Sequence, residues 1–284
     1  MRALVLLLLT LFSPAAIAQT PESWTRAIDP FRVVGNIHYV GTEDLGAWLI
    51  ATEKGLILLD APLDENAPLL LSNIRKLGFD PKDVRILLAS HAHSDHIGAL
   101  AALKKATGAR VLLSSADAEL AARGGRGDFA FGDTITYPPV EADGNVSDGS
   151  VVRLGSTEMV ALLTPGHTRG CTTWRMTVRE NDQPLDVVFL CSVTAPGYRL
   201  VDNPSYPEIF ADYEKTFATL RRLDPDVFLA NHAGFYDLAG KRTRRNDRGS
   251  NPFVVRGELS RFLDEAWASL EKQRQQQLHT GRTK

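Results

Sequence analysis

The hydrophobic positions of the chain form short strand-like segments that alternate with longer amphipathic segments. In the first half, this pattern predicts strands over residues 31–40, 45–51, 55–60, 84–89 and 111–113. It predicts helices over residues 64–77, 97–106 and 115–122. In the first of these helices, Leu70, Ile74 and Leu77 share one face, which is the pattern of a helix packed on a core.

The second half repeats this order after an irregular segment. Residues 124–149 are rich in Gly, Pro, Asp and aromatic residues and lack periodicity, which predicts a long loop of functional or mobile character. Strands are then expected over residues 151–154, 159–163, 172–178, 185–190 and 227–230. Helices are expected over residues 207–223 and 252–272, followed by a frayed Gln-rich tail to Lys284. This order favours an α/β domain of two β-sheets with helices outside, spanning residues 19–284.

The composition narrows the class of partner. The chain has 284 residues, of which 44% are hydrophobic and 23% charged, values typical of an ordinary globular protein. Its formal net charge is −2, so it lacks the basic excess that a nucleic-acid-binding surface requires. We therefore expect no nucleic-acid partner. We also expect a monomer that acts on a small molecule and has no membrane partner.

The first 18 residues have the pattern of a secretory signal peptide. A short positive start at Met1-Arg2 precedes an apolar run, and Ala16-Ile17-Ala18 forms a small-x-small cleavage site. The alternative is a membrane anchor, but a bilayer span needs about 20 apolar residues, and this run is shorter. The pattern predicts an exported protein with a periplasmic location.

Two cysteines, Cys171 and Cys191, flank a predicted hairpin. The strands over residues 172–178 and 185–190 are joined by a turn-like segment centred on Asn181. Folding the chain there places the cysteines opposite each other, within reach of a disulfide. We predict a Cys171–Cys191 bridge, and the alternative is a pair of buried free thiols.

The segment His91-Ala92-His93-Ser94-Asp95-His96 carries the strongest chemical signal. Four potential metal ligands lie within six residues, directly after a predicted buried strand. Residues His91 and His93 point the same way on an extended turn and can share one metal, whereas Asp95 and His96 turn towards a second. Imidazole and carboxylate ligands suit zinc.

Two more histidines, His167 and His232, also follow predicted strands directly. Together with the first motif they complete two sets of three ligands, which are His91, His93 and His167 for one zinc and Asp95, His96 and His232 for the other. Three protein ligands leave room for water or substrate at each metal, as catalytic zinc sites do. His38 and His279 are interpreted as a strand residue and a tail residue, and Trp48 and Trp174 as core.

The ligand pattern, from His91 to the late His232, resembles the signature of the metallo-β-lactamase superfamily over about residues 33–234. The resemblance implies a four-layer αββα sandwich with two mixed β-sheets and the metals at the sheet edge. It specifies the fold and the metal better than the substrate, because lactonases, glyoxalase II, nucleases and sulfur dioxygenases share the motif.

The residues at the end of the strand before residue 192 narrow the resemblance to one subclass of the superfamily. Many dinuclear hydrolases of this superfamily have a metal-bridging Asp at the end of that strand, where this chain has Leu190-Cys191-Ser192. Its Asp186 lies at the opposite end of the strand and cannot reach the metals. A serine at this point resembles the subclass B3 metallo-β-lactamases. If Cys191 faced the metal instead, the ligand set and the subclass would change, but the predicted disulfide argues against this.

This resemblance implies zinc-dependent hydrolysis of the β-lactam amide of penicillins, cephalosporins and carbapenems by a zinc-bound hydroxide. Asp95 would orient the hydroxide in addition to holding zinc. Ser192 and Thr194 would bind the substrate carboxylate, and Tyr198 would donate to the developing oxyanion. The loop over residues 124–149, with its aromatic residues Phe129, Phe131 and Tyr137, would cover the pocket.

Three alternatives remain open on the sequence. One is another dizinc hydrolase of the same fold, such as a lactonase or a thioesterase, against which the missing bridging Asp counts. Another is a mononuclear iron sulfur dioxygenase, which would not need all six ligands. The third is a periplasmic metal-binding protein without catalysis, which the two open three-ligand sites disfavour.

Overall fold

Two β-sheets pack face to face and carry helices on their outer sides. The computed structural model describes residues 20–245 and 250–281. The predicted signal peptide, residues 1–18, lies outside the described residues. The layering confirms the four-layer αββα arrangement expected from the sequence.

The first sheet has seven strands in the order β1 to β7. The neighbours from β1 to β4 run antiparallel, and those from β4 to β7 run parallel, so the sheet is mixed. Its strands are β1 (Phe31–Val34), β2 (Ile37–Tyr39), β3 (Trp48–Thr52), β4 (Gly55–Leu59), β5 (Val84–Leu88), β6 (Arg110–Ser114) and β7 (Gly144–Val146).

The second sheet has five strands in the order β12, β11, β10, β9, β8. Strand β12 runs parallel to β11, and the other neighbours are antiparallel. Its strands are β8 (Val151–Leu154), β9 (Thr157–Leu163), β10 (Thr172–Glu180), β11 (Gln183–Leu190) and β12 (Val227–Ala230).

The helices divide between the two outer layers. Helices α1 and α3 cover the first sheet, and helices α5 and α7 cover the second. Within residues 20–245 and 250–281, no helix combines the length and the hydrophobicity needed to cross a bilayer. The helices are α1 (Ala67–Lys76), α2 (Ser94–Ile97), α3 (Leu100–Thr107), α4 (Ser115–Ala122), α5 (Ile209–Leu220), α6 (Leu238–Arg244) and α7 (Glu258–Gly281).

Strand β4 shows how the sequence separates the layers. Its side chains alternate in direction, so Ile57 and Leu59 face the core between the sheets, while Leu56 and Leu58 face helices α1 and α3. Both faces are buried, which explains the uninterrupted apolar sequence, and each such side chain contributes about 1.5–3 kcal/mol. The predicted core residues Trp48 and Trp174 are 1% and 0% exposed.

Three element boundaries differ from the sequence prediction in the first half. The expected strand over residues 31–40 is split into β1 and β2 by a turn at Gly35, whose φ is +50°. The expected helix over residues 97–106 begins only at Leu100, as α3, and the short helix α2 (Ser94–Ile97) precedes it. Strand β7 (Gly144–Val146) lies within the segment expected to be loop, because a short pairing with β6 extends the sheet there.

The C-terminal part also differs. Helix α6 was not predicted, and α7 continues to Gly281, well beyond the expected end at Lys272. The tail does not fray because the side-chain amides of Gln273 and Gln277 both donate to the carbonyl of Tyr198. These tertiary hydrogen bonds are not visible in the local sequence pattern.

The hairpin of β10 and β11 carries the disulfide. Asn181 and Asp182 form a two-residue turn with φ values of 49° and 61°, typical of a type I′ hairpin. Cys171 and Cys191 are disulfide-bonded with a Cα–Cα distance of 6.0 Å, which confirms the predicted pairing. The register differs by one residue from the expected one, because the turn is centred between Asn181 and Asp182 and not on Asn181.

Candidate metal centre

The six predicted metal ligands converge at one edge of the sandwich. They lie on three segments that each follow the carboxyl end of a strand. Because the parallel ends of β5 and β12 and the end of β9 point to the same edge, residues far apart in sequence meet there. The segment after β5 supplies His91, His93, Asp95 and His96, that after β9 supplies His167, and that after β12 supplies His232.

The first cluster consists of His91, His93 and His167. One ligand atom from each residue lies within 4.8 Å of the others, and Nδ1 of His93 is 3.2 Å from Nε2 of His167. The three residues are 1%, 7% and 6% exposed. Nε2 of His91 is buried and has no hydrogen-bond partner among the described residues. Three buried imidazoles converging in this way match the nitrogen ligands of a zinc site.

The second cluster consists of Asp95, His96 and His232. Oδ2 of Asp95 lies 3.2 Å from Nε2 of His96 and 3.5 Å from Nε2 of His232. The two Nε2 atoms are themselves 3.2 Å apart. One atom of each side chain therefore faces a common point, and the set of one carboxylate and two imidazoles also fits zinc.

Burial keeps two histidines of the first cluster neutral. It lowers the pKa of His91 well below its usual value, and the neighbouring His96 and His167 lower it further. Burial also lowers the pKa of His167 to about 3, with a further contribution from His93. Neutral imidazoles have a free nitrogen lone pair at physiological pH, which is the form that binds a metal.

The second cluster contains one negative and one positive side chain. Burial opposes ionisation of Asp95, but His96 and a hydrogen bond from His232 hold the pKa of this carboxyl well below its usual value. Burial likewise disfavours the cationic form of His232, but hydrogen bonds to Asp44 and Asp95 raise its pKa to about 9. A metal cation at this point would take the place of the proton on His232.

Two histidine rings are oriented from outside the clusters. Nδ1 of His167 lies 2.8 Å from the carbonyl oxygen of Thr194. Nδ1 of His232 lies 3.2 Å from Oδ2 of Asp44, a residue that was not predicted. A ring whose Nδ1–H is donated to such an acceptor presents Nε2 to the metal.

Two further buried carboxylates, which were not predicted either, hold the ligand-bearing turns. Asp60 accepts hydrogen bonds from the backbone N–H and the hydroxyl of Ser90, at 2.5 Å and 2.9 Å. Asp117 accepts hydrogen bonds from the N–H of Ala92 and the hydroxyl of Thr168, both at 3.1 Å, and so joins the two ligand turns. Burial raises the pKa of each carboxyl to about 6.

The sequence offered a signal for only one of them. Asp60 is an acidic residue directly after a buried apolar strand, which is an unusual position. Asp117 lies on α4, where an acidic residue in the first helical turn is ordinary.

The cysteines do not provide metal ligands. Cys171 and Cys191 lie near His91, but both sulfur atoms are in the disulfide and cannot act as thiolates. The alternative in which Cys191 binds the metal therefore does not fit. Ser192, the next residue, lines the cavity beside the clusters, as expected.

Both clusters border a cavity of about 520 Å³. This volume is typical of a site for a small molecule. The predicted substrate-binding residues Ser192 and Thr194 both line the cavity, and their hydroxyl oxygens are 2.9 Å apart. The apolar part of the wall is formed by Trp24, Phe131, Ile135, Pro196 and Phe235.

Tyr198 does not reach this cavity. Its side chain is buried, its hydroxyl donates to the carbonyl of His167 at 3.1 Å, and its ring stacks on the His167 ring. The predicted donation to an oxyanion is therefore corrected, because the hydroxyl is already used inside the protein. In this structure Tyr198 instead supports His167, a predicted metal ligand.

The loop over residues 124–149 takes part in the cavity wall, as expected. Phe131 lines the cavity, and so does Ile135. The other two aromatic residues anchor the loop, since Phe129 contacts Tyr198 and the hydroxyl of Tyr137 donates to the carbonyl of Ala92 at 2.6 Å.

Residues predicted to lie away from the metals do so. Asp186 is paired with Arg175 towards the opposite end of β11, at 2.8 Å. His38 packs against Phe79 on the first sheet, and His279 lies on α7. Asp186 therefore does not take the place of the metal-bridging Asp that this chain lacks at the cavity end of β11.

Residues 47–232 match the model of the metallo-beta-lactamase superfamily, and the chain belongs to this superfamily. The fold and the ligand geometry described above agree with this membership. Members of the family bind zinc, and the two side-chain clusters provide suitable ligands.

Two solved structures with high similarity are described as subclass B3 enzymes. BJP-1 of Bradyrhizobium japonicum, a subclass B3 metallo-beta-lactamase, is 36% identical with a TM-score of 0.87, and the match covers 91% of this chain and 98% of BJP-1. LRA-12 from an Alaskan soil metagenome, a class B3 di-zinc metallo-beta-lactamase, is 31% identical with a TM-score of 0.84, and the match covers 89% and 97%.

Several curated relatives are hydroxyacylglutathione hydrolases. A hydroxyacylglutathione hydrolase of Chelativorans sp. (strain BNC1) is 32% identical over 140 residues, which is 47% of this chain. The chain spans only 43% of the length of that relative. The protein is thus similar to a hydroxyacylglutathione hydrolase over part of its length and to metallo-beta-lactamases of known structure over nearly all of it.

Proposed function

We propose that the protein is a zinc-dependent β-lactamase that hydrolyses the amide bond of penicillins, cephalosporins and carbapenems. The end of β11 carries this proposal. There Cys191 is held in the disulfide and Ser192 faces the cavity, where many lactonases and thioesterases of the superfamily have a bridging Asp. The similarity to BJP-1 over almost its whole length supports the same substrate class.

The protein would bind two zinc ions, one in each cluster. Each cluster offers three ligands, and the similar LRA-12 is described as a di-zinc enzyme. Bound zinc would supply a Lewis acid and lower the pKa of a water molecule to near neutrality. The buried His91 would hold its metal through Nε2, which has no other partner.

The residues around the clusters would bind and orient the reactants. Asp95 is ionised and lines the cavity, so its carboxylate can accept a hydrogen bond from the attacking water and orient it. Ser192 and Thr194 can donate hydrogen bonds to the substrate carboxylate. The apolar wall with Trp24 and Phe235 would pack against the rest of the substrate and exclude water.

The oxidised state of Cys171 and Cys191 agrees with the proposed location. Disulfides persist in oxidising compartments such as the bacterial periplasm, where β-lactams are encountered. We therefore keep export to the periplasm as part of the proposal, together with a monomeric enzyme.

A second candidate function is thioester hydrolysis, favoured by the similarity to the Chelativorans hydroxyacylglutathione hydrolase. A thioester also places a carbonyl carbon within reach of an activated water. The end of β11 distinguishes the two candidates. This chain has Ser192 there, whereas many dinuclear hydrolases of the superfamily have a metal-bridging Asp.

The experiment compares the two substrate classes under the same conditions. Purified protein is assayed against a carbapenem, a cephalosporin and a hydroxyacylglutathione thioester, with and without a zinc chelator. The proposal expects β-lactam turnover that is lost on chelation and restored by zinc. Turnover of the thioester alone would replace the proposal with the second candidate.

A further inference from the structure

Asp128 connects the first cluster to the loop that forms one wall of the cavity. It lies in the segment that was expected to be irregular, and its side chain is only 5% exposed. Nothing in the local sequence marks this aspartate as different from the other acidic residues of the loop. Its surroundings set it apart.

One oxygen of Asp128 faces a metal ligand. Oδ2 lies 3.6 Å from Nε2 of His93, whose side chain is 8% exposed. That nitrogen is buried, and no group within residues 20–245 and 250–281 lies within normal hydrogen-bond distance of it. The other ring nitrogen, Nδ1, faces His167 and the centre of the first cluster.

The other oxygen of Asp128 holds the loop. Oδ1 accepts hydrogen bonds from the backbone N–H groups of Ala130 and Phe131, both at 2.8 Å. Backbone hydrogen bonds between Asp128 and Gly132 close the same turn. The ring of Phe131 packs edge-on against His93, with centroids 5.2 Å apart, and lines the cavity.

We propose that Asp128 is a positioning residue that couples metal binding at His93 to the order of the loop over residues 126–137. This inference rests on the proposed zinc site. When Nδ1 of His93 binds a cation, the ring proton resides on Nε2 and can be donated to the carboxylate of Asp128. The same carboxylate fixes the turn that carries Phe131, so zinc at the first cluster stabilises this wall of the cavity.

The coupling is reciprocal. If zinc stabilises the ordered loop, the ordered loop increases the affinity for zinc by the same factor. The loop is well placed for this because Tyr137, farther along it, also donates to the ligand-bearing turn at Ala92. The wall that contacts the substrate would then be complete only in the zinc-loaded protein.

The test compares Asp128→Asn with Asp133→Asn. The asparagine keeps an oxygen acceptor for the N–H groups of Ala130 and Phe131 but carries no charge for His93. Asp133 is the matched control, because it holds the same loop through the N–H of Gly127 at 2.8 Å and is exposed. Zinc affinity is measured by competition with a chromophoric chelator, and loop order by hydrogen exchange with and without zinc.

We expect Asp128→Asn to weaken zinc binding at one of the sites by about 10–100-fold, the usual effect of losing an orienting carboxylate. Zinc should slow exchange over residues 126–137 in the wild type and in Asp133→Asn, and much less in Asp128→Asn. Near-UV circular dichroism checks that each variant is folded. If Asp128→Asn does not fold, the wild-type exchange measurement decides alone.

Different outcomes separate this inference from the proposed function. If the wild type binds zinc but its loop exchange does not respond to zinc, the coupling is wrong and the zinc site stands. Equal zinc affinity in Asp128→Asn and the wild type also overturns the coupling. A folded wild type that binds no zinc overturns both.

Discussion

The two ligand clusters differ in burial and charge although they lie side by side. In the first, three histidines are buried, and burial is the main reason why the pKa values of His91 and His167 are lowered and these two rings are neutral. In the second, the side chains of Asp95 and His232 are 16% and 20% exposed and carry compensating charges. The first cluster is thus a preformed nitrogen site, whereas the second is an ion pair that a metal would have to rearrange.

The residues that hold the two clusters in place also differ, since one set lies in the interior and the other at the cavity rim. The first cluster is held by the protein interior, through the disulfide near His91, the carbonyl of Thr194 and the ring of Tyr198. The second is held from the cavity rim by Asp44, which also accepts a hydrogen bond from Trp24 at 3.0 Å. We therefore expect changes in the interior to affect mainly the first metal, and changes at the rim mainly the second.

Replacing a ligand should have the largest effect. His91→Ala removes a buried nitrogen from the first cluster and should lower β-lactam turnover by more than about a hundredfold, since even an orienting residue is worth 10–100-fold. The zinc content should fall by about one ion per chain. Metal analysis and a chelator-controlled assay measure both.

The matched variant for the comparison is His232→Ala, which removes a ligand from the second cluster. His232→Ala should also lose one zinc ion. The ion that remains, in the first cluster, should have the same affinity as the more tightly bound ion of the wild type. Full turnover in either variant after zinc depletion would rule out the proposed mechanism.

Removing the disulfide should test the interior support. The 20-residue separation of Cys171 and Cys191 predicts a loss of about 3 kcal/mol in the free energy of unfolding if both become alanine. Urea unfolding of the wild type and the double variant gives this difference. Because the disulfide lies against His91, zinc affinity at the first cluster should fall more than at the second. An equal loss at both clusters would contradict the division into interior and rim.

The sequence predicted which side chains form the two clusters because their pattern is local. His91, His93, Asp95 and His96 lie within one turn, and His167 and His232 each follow an apolar strand directly. The fold followed from the same strands, whose apolar character is strong enough to specify two buried sheets. The disulfide was found because hairpin geometry relates residues through a single turn, although the register was off by one.

The supporting residues could not be predicted in the same way. Asp44, Asp117 and Asp128 act through contacts across 25 to 188 positions of the chain, so no local period reveals them. The resemblance to subclass B3 implies that Tyr198 donates to the developing oxyanion. Its burial depends on packing against His167, which only the folded structure shows.

The prediction for the cavity rim concerns Asp44, which supports the second cluster. Asp44→Asn removes the charge beside Nδ1 of His232 and should weaken zinc binding at the second cluster by about 10–100-fold, with the first cluster unchanged. Stepwise zinc titration distinguishes the two sites. Asp29→Asn is the control, because Asp29 forms only an exposed ion pair with Lys76 and should bind both ions normally. Loss at the first cluster instead would show that the two sites share their supports.

The smallest expected effect concerns the C-terminal helix. Gln277 accepts hydrogen bonds from the backbone N–H groups of Leu200 and Val201 at 2.7 Å and 3.3 Å and donates to the carbonyl of Tyr198. Tyr198 in turn stacks on the metal ligand His167. The helix end therefore supports the first cluster through one intervening side chain.

Gln277→Ala should destabilise the protein by about 1 kcal/mol, the value of a typical hydrogen bond, and weaken zinc binding at the first cluster by only a few-fold. Gln276→Ala, at an exposed position of the same helix, is the matched control and should behave as the wild type. Thermal unfolding and zinc competition measure the two quantities. A change in zinc affinity confined to the second cluster would mean that the helix acts on the cavity rim. The proposed division into interior support for the first cluster and rim support for the second would then be wrong.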